Sequence, residues 1–466
     1  MLKISFIGAG SLVFGRNVIT DILTFPIFRK NTLICLEDVD PKRLDLMYDY
    51  IQKYKEGYSK NTQGITIEKT TDQKKAVEDA KYIINAVHVG GLDAFKLDIE
   101  IPFKYGVSQC VGDTLGPGGV FRFLRSVPFF KSLLKDIKDV GYNPKENDGS
   151  PLILNYTNPM AMNTWFCNTI QPGSTIGLCH SVQGTAFMLR NLISSETSID
   201  LSSRDFSFDC AGINHMAWFI KAKYKDPRDI SGTWIDAYPV LNRILKEKPE
   251  LVKSEKIRFD MMKATGFFVT ESSGHLSEYL PYYRKRVDLL EEYKGGEEGH
   301  KSLKHSEDYL MQVKNQGNMG KAFTKRIESG GFQYKERSSG EYASRIINAL
   351  ETGELFRFNG NIQNKEGACI TNLPKDCCVE ISIFADRHGL HPQGGIELPT
   401  ACQALCVSNI MVQKAAVEGA LELNKEKIYH SILLDPNTAS VCSPVEIREM
   451  VDEMFEKEAK WLPKFN

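Results

Sequence analysis

An apolar run, Leu2–Ile7, ends in Gly8-Ala9-Gly10-Ser11 and passes directly into a helical pattern. That order constrains the fold more than any other stretch of the chain. Glycines at a strand end let the backbone approach a pyrophosphate, and the N-terminus of the next helix favours its charge. Val13 stands where GxGxxG has its third glycine, so the loop alone is a weak signal. Its surroundings strengthen it. A second apolar run, Thr32–Leu36, ends in Glu37-Asp38-Val39-Asp40, where a carboxylate can accept both hydroxyls of a ribose. Asp38 disfavours a 2′-phosphate, so NAD is expected over NADP. The competing reading is a glycine turn that merely closes a strand–helix unit.

The theme repeats through the first 190 or so residues. Ile65–Ile67, Tyr82–Val87, Leu152–Leu154 and Thr175–Leu178 read as strands, with amphipathic stretches such as Pro41–Tyr54 and Val120–Ile137 between them. Such alternation predicts an α/β fold with a Rossmann-like, doubly wound parallel sheet. Pro26 ends the first helix, Thr71-Asp72 caps a helix over Lys74–Ala80, and Asp148-Gly149-Ser150-Pro151 is a turn before the fifth strand. After about residue 200 the alternation stops. Phe206–Lys223 and Val379–Phe384 have strand character, Cys402–Leu423 and Ser443–Phe455 read as helices, and 285–340 is polar and charged. Residues 1–198 are therefore expected to form the NAD-binding domain. Residues 199–466 are expected to form an α+β domain for substrate, metal and oligomer contacts, in a lactate/malate dehydrogenase-like arrangement.

Composition excludes other classes. The chain has 466 residues, more than one small core needs, with 58 basic and 59 acidic side chains. A formal net charge of −1 leaves no electrostatic footprint for nucleic acid or an anionic membrane. No apolar run reaches transmembrane length, and Met1–Gly10 lacks the form of a secretory signal, so a cytoplasmic address is expected. The 11 cysteines are scattered, with no disulfide framework or CxxC zinc spacing.

Cys179 and His180, in Gly177-Leu178-Cys179-His180-Ser181, follow a predicted strand at the sheet edge where open α/β folds bind ligands. Taken alone, a buried thiol and a capping histidine explain them better than a ligand site does. Gly212-Ile213-Asn214-His215 adds a second histidine. A thiolate and an imidazole suit a divalent transition ion, with positions left open for substrate oxygens.

Several motifs occur in a fixed order. They are Gly8-Ala9-Gly10-Ser11, Gly112-Asp113-Thr114-Leu115-Gly116-Pro117-Gly118-Gly119, Asn155-Tyr156-Thr157-Asn158-Pro159, Gly177 to Gly184, Gly212 to Ala217, and Phe268-Val269-Thr270-Glu271-Ser272-Ser273 with Ser277-Glu278-Tyr279 after it. The set resembles glycoside hydrolase family 4, and within it the bacterial α-galactosidases, over nearly the whole chain. The resemblance implies a glycosidase outside the two-carboxylate scheme. In this family NAD+ takes hydride from C3 of the sugar, a base removes the acidified C2 proton, and a divalent ion, usually manganese, stabilises the enediolate. The glycosidic oxygen leaves by elimination, water adds, and the hydride returns. The resemblance further implies Cys179 and His215 as metal ligands, Asp113 as the acid that assists the aglycone, and Asn158, His180 and His275 as sugar contacts. For the C2 base, Tyr279 is favoured slightly over Glu271.

The Cys-His-Ser form of the metal motif resembles members that act on unphosphorylated sugars. An α-galactoside of the melibiose or raffinose type is expected, with an α-galacturonide as the alternative. Two departures bear on this: His88 stands where related α-galactosidases have Gln, and Ser339-Gly340-Glu341-Tyr342 lacks an Arg before Glu-Tyr. His88 or Arg284 could receive a carboxylated sugar. A homo-oligomer, dimer or tetramer, is expected. A plain NAD-dependent 2-hydroxy acid dehydrogenase and a non-enzymatic NAD sensor are the readings from other classes; neither requires the Cys179–His215 pair.

Overall fold

The structure, a computed structural model, describes residues 1–10, 14–58, 62–140, 151–293, 321–322, 324–325, 328–329 and 339–465. Ser11, the turn over 148–150 and much of 285–340 lie outside the described residues.

Six parallel strands form the first part of the sheet: β1 (Leu2–Ile7), β2 (Thr32–Glu37), β3 (Ile65–Thr70), β4 (Tyr82–Asn85), β5 (Leu152–Asn155) and β6 (Thr175–Gly177). Their spatial order is β3-β2-β1-β4-β5-β6, the doubly wound order, which reverses direction between β1 and β4. Every residue of β2 and β4 is buried, as expected of parallel strands covered on both faces. The connections are the helices α1 (Phe14–Thr24), α2 (Pro41–Gly57), α3 (Gln73–Val77), α4 (Gly91–Lys104), α5 (Gly116–Val140), α6 (Met160–Ile170) and, after β6, α7 (Ser181–Thr197). The caps are legible in the sequence. Asp40 accepts from Lys42 N at 2.9 Å with Pro41 in the first turn, and Asp72 accepts from Lys74 N at 3.0 Å. The helix after Asp72 is shorter than expected. It ends at Val77, and Asp79 turns left-handed at φ 56°.

Beyond β6 the sheet continues without a break. In the second half lie β7 (Phe206–Ile213), β8 (Met216–Tyr224), β9 (Ile235–Asp236), β10 (Phe268–Val269), β11 (Phe356–Gln363), β12 (Cys378–Asp386) and β13 (Gly389–Pro392). The order runs on from β6 as β11-β12-β7-β8-β10, all antiparallel, with Asn361 opposite Gly177 and Glu380 opposite Gly212. The strand-like stretch Phe206–Lys223 is thus a hairpin. It turns at Asn214-His215, where His215 has φ 64°.

The helices Thr400–Glu422 and Pro444–Glu458 pack back on α4, α5 and α6, so one core includes residues from Ile4 to Phe455. A buried ion cluster joins them. Arg125 on α5 reaches Asp98 on α4 at 2.6 and 2.7 Å and also meets Glu458 of the last helix, with all three side chains fully enclosed. The expected boundary at 198/199 falls just past the end of α7, and the main core runs across it. A second core lies between α7 and the β7–β8 hairpin. Among the described residues no helix is long and apolar enough to cross a membrane.

Candidate active site

The first crevice lies at the C-terminal ends of β1 and β4, where the sheet order reverses. Gly8 has φ 79°, and a Cβ there would sit 3.0 Å from Ala86 O. A Cβ on Gly10 would come within 2.7 Å of both the Asp38 carboxylate and Arg43 Cβ. Asp38 is held by two backbone donors, Gly10 N and Asp40 N, each at 2.9 Å. Gly15 supplies what Val13 could not. A Cβ there would lie 2.8 Å from Ala9 O, so helix α1 packs closely on the strand end through a glycine two residues late. A cradle filled by any added Cβ, with a half-buried carboxylate beside it, fits the pyrophosphate and ribose of a dinucleotide.

The second crevice is made of side chains from five separate segments. Cys179 follows β6, and His215 sits on the β7–β8 turn. Their Sγ and Nε2 atoms are 3.4 Å apart. Metal bonds of about 2.3 Å to sulfur and about 2.1 Å to nitrogen, set at about 100°, would separate the donors by about that distance. Burial pushes the Cys179 thiol up, and Glu380 and Glu271 add to the effect, so the thiolate needs a cation beside it. Burial and the charge of His275 bring His215 down to about 4, which leaves a neutral imidazole. These donors fit a divalent ion. Among the described residues no group of three or more such ligands forms, so oxygens of a bound molecule would complete the shell.

His275, on the short helix Ser273–Glu278, packs edge-on against His215 with ring centroids 4.6 Å apart. Its Nδ1 faces Glu271 Oε2 at 2.7 Å and its Nε2 faces Asp113 Oδ1 at 3.7 Å. Neither facing oxygen makes an aligned hydrogen bond, so both are held by charge. Burial opposes protonation of His275, but the two carboxylates outweigh it and raise its pKa well above the usual value. Glu271 in turn is held well below the usual carboxylate range. Burial opposes this, and the His275 charge outweighs it. Asp113 is lowered too, by His275 and by the charge of Arg122 against the burial that would raise it. The acid role that the resemblance implies for Asp113 would need a raised pKa, and the site lowers it instead. The proton that Asp113 was expected to carry belongs to the His275 ring facing it. Asn158 Nδ2 donates to Asp113 Oδ2 at 2.9 Å, and Arg122 Nε donates to the Asn158 carbonyl at 3.3 Å.

Tyr279 stands differently from Glu271. Its side chain is 1 % exposed, its hydroxyl lies 3.0 Å from Thr114 Oγ1, and burial drives its pKa well upward. Glu271 keeps a partly exposed, ionised carboxylate within the cluster. Arg284 does not reach the site. It is buried against Ser108 and Ser277, its Nε donating to Ser108 O at 2.8 Å. His88 is exposed near Phe95, and the charge of Arg122 disfavours protonation of its imidazole. His180 presents a 56 % exposed ring whose Nδ1 is 3.8 Å from Glu341.

Glu380 is a member of the site that the motifs do not mark. It is fully buried on β12, and burial with the charge of Glu271 pushes it up to about 8, against the amides of Asn214 and Asn361. The sequence signal is a lone carboxylate inside the apolar run Val379–Phe384.

The sequence matches the family descriptions "Family 4 glycosyl hydrolase" over residues 3–195 and "Family 4 glycosyl hydrolase C-terminal domain" over residues 210–438. It is 37% identical to an alpha-galactosidase of Rhizobium meliloti, over 99% of this chain and 89% of that protein. It is 36% identical to an alpha-galactosidase of Bacillus subtilis over the full length of both. An alpha-galacturonidase of Lachnoclostridium phytofermentans is 27% identical over 99% of this chain and 97% of its own. Among solved structures, Bacillus subtilis lplD, named provisionally as a glucosidase, superimposes with a TM-score of 0.82 at 26% identity, covering 97% of this chain and 99% of that one. A 6-phospho-alpha-glucosidase from gut microorganisms, solved with NAD and Mn2+, superimposes with a TM-score of 0.76 at 18% identity over the whole of both chains, a likeness of fold.

Proposed function

The chain belongs to family 4 of the glycosyl hydrolases, and from that premise we propose that it hydrolyses α-galactosides with NAD+ and Mn2+ as cofactors. The observation that carries this reading is the Cys179–His215 pair at 3.4 Å, set beside an ionised Glu271 and the His275–Asp113 contact. When bound, NAD+ would supply a hydride acceptor for C3 and Mn2+ a Lewis acid for the sugar oxygens beside C2.

The residues of this chain do the rest. Gly8 and Gly10 admit the pyrophosphate and Asp38 takes the ribose hydroxyls, so residues 1–198 furnish the cofactor cradle, and the sugar-facing residues come from both 1–198 and 199–466. Cys179 and His215 hold the metal. Asn158 and His180 orient the sugar hydroxyls. Glu271 is the C2 base in this reading, in place of Tyr279. It is ionised at neutral pH and partly open, whereas the Tyr279 hydroxyl is enclosed beside Thr114. His275 carries a proton between Glu271 and Asp113. Asp113 and His275 together serve the departing glycosidic oxygen, with Asn158 fixing the far oxygen of Asp113.

The neutral sugar is favoured over the galacturonide by two observations. Arg284 is used up inside the fold, and the charge of Arg122 disfavours protonation of His88. Nitrophenyl α-galactoside and α-galacturonide, assayed with NAD+, Mn2+ and a thiol reductant, test the reading. Hydrolysis of the galactoside that stops on EDTA treatment or NAD+ removal is expected. Hydrolysis that survives both would overturn the proposed chemistry, and preference for the galacturonide would overturn the substrate.

A further inference from the structure

A short strap links the cofactor helix to the exposed ring of His180. Asp21 lies on α1, the helix that follows the glycine loop, and is fully buried. Its carboxylate accepts from Ser339 N at 2.7 Å and from Ser339 Oγ. Ser339 Oγ then accepts from Glu341 N at 3.3 Å. Two residues further on, Ala343 N donates to Tyr156 Oη at 3.1 Å, at the end of β5. Buried groups from two different strand–helix units thus fix the backbone on both sides of Glu341.

What the strap fixes is a carboxyl group. The Glu341 side chain is 12 % exposed, and its Oε1 stands 3.8 Å from His180 Nδ1, while the His180 ring is 56 % exposed. A surface glutamate on a free loop would point to water. This one is held inward, against the residue next to the candidate metal thiol. A carboxyl group facing one ring nitrogen of a histidine biases where the other one points. Nothing in the proposed reaction uses Glu341, Ser339 or Asp21 directly.

We propose that Glu341 is a positioning residue that orients His180 toward the hydroxyls of the sugar, with Asp21 and Ser339 as its anchor on the cofactor helix. The proposal rests on the glycosidase reading of the site. It gives Glu341 no contact with the reacting atoms, so its loss weakens sugar binding more than turnover. Ser339 acts one step further back and has a smaller effect in the same direction.

The experiment is a double-mutant cycle on the full chain with NAD+ and Mn2+, using Glu341→Gln, His180→Ala and both together, with Ser339→Ala alongside. Glu341→Gln should raise KM for nitrophenyl α-galactoside about tenfold and change kcat less than about threefold. NAD+ affinity, read by fluorescence titration, should stay within about twofold, a split that a general loss of structure would not give. In the His180→Ala background, Glu341→Gln should add less than about twofold, because the two act as one unit. Additive effects in the cycle, an unchanged KM, or loss of NAD+ binding in Glu341→Gln would each overturn the proposal. Direct titration with galactose separates this inference from the reading beneath it. A wild-type chain that neither binds galactose nor cleaves any galactoside overturns both. A wild-type chain that does so with Glu341→Gln indistinguishable from it overturns only the role of Glu341.

Discussion

The two crevices of this molecule are built by opposite means. The dinucleotide crevice is made of backbone: two glycines where no side chain fits, a strand end and one carboxylate tied to amide donors. The crevice proposed for metal and sugar is made of side chains, brought from the ends of β5 and β6, the β7–β8 turn, the loop before α5 and the segment around His275. The first is specified within some 40 residues of sequence. The second needs the whole sheet, because the antiparallel run β6-β11-β12-β7 sets the distance between Cys179 and His215. Local order can make a place for a cofactor; only long-range register can bring these titratable side chains together.

The two crevices should therefore fail separately. Cys179→Ala should reduce kcat by about 10⁴-fold, in the range expected for losing a metal-held transition-state contact. NAD+ affinity by fluorescence titration should barely move. A matching loss of NAD+ binding would mean the crevices are not independent.

Beneath them lies a shared core, and a change there should harm both alike. Arg125→Met leaves Asp98 and Glu458 buried without their cation, which should cost about 3–5 kcal/mol in denaturant unfolding. An unchanged midpoint would show that α4, α5 and the last helix are held by apolar packing alone.

The converse of the Cys179 variant comes next. Gly10→Ala drives a Cβ into Asp38 and Arg43, and should weaken NAD+ by about 100-fold, or about 2.7 kcal/mol. Mn2+ affinity, followed by the metal's relaxation of water protons, should be retained.

The smallest effect concerns the polar shell behind the metal pair. Glu380 has a native pKa of about 8, above its ordinary value of 4.5, so the native state keeps a proton that the unfolded chain releases between those values. Its contribution is favourable below the lower value and is lost as pH rises toward the upper one. In metal-free protein, stability should therefore fall by about 2 kcal/mol between about pH 5 and about pH 7 through this group alone. Glu380→Gln should remove that slope in paired unfolding curves. Parallel curves for the two proteins would show that Glu380 is ionised in the fold.

What could be read from the sequence follows the same division. The loop, Asp38, the six parallel strands and the cap at Asp72 are local, and the chain order carried them. Ordered motifs led to Cys179, His215, Asp113, Asn158, Glu271 and His275, and the structure gathers all six in one cluster. Three features were beyond local reading. The Phe206–Lys223 stretch hides its turn: the polar pair Asn214-His215 does break the apolar run, but Asn-His is not one of the Asn-Gly or Asp-Gly pairs that mark a hairpin. Tyr279 follows Glu271 by only eight residues, yet the helix over Ser273–Glu278 carries it inward to Thr114. Glu380 and Glu341 become informative only when distant strands and the strap place them beside Cys179 and His180. Asp113 shows the limit for electrostatics: its low pKa comes from His275 and Arg122, each more than five residues away and on other elements.

The central claim is that the glycosidic bond is broken by elimination after removal of a proton at C2. The direct measurement is hydrolysis of nitrophenyl α-galactoside in D2O with NAD+ and Mn2+, followed by NMR of the released galactose. Deuterium at C2 is the expected result. Galactose that keeps its original hydrogen at C2 would contradict the elimination and the role given to Glu271.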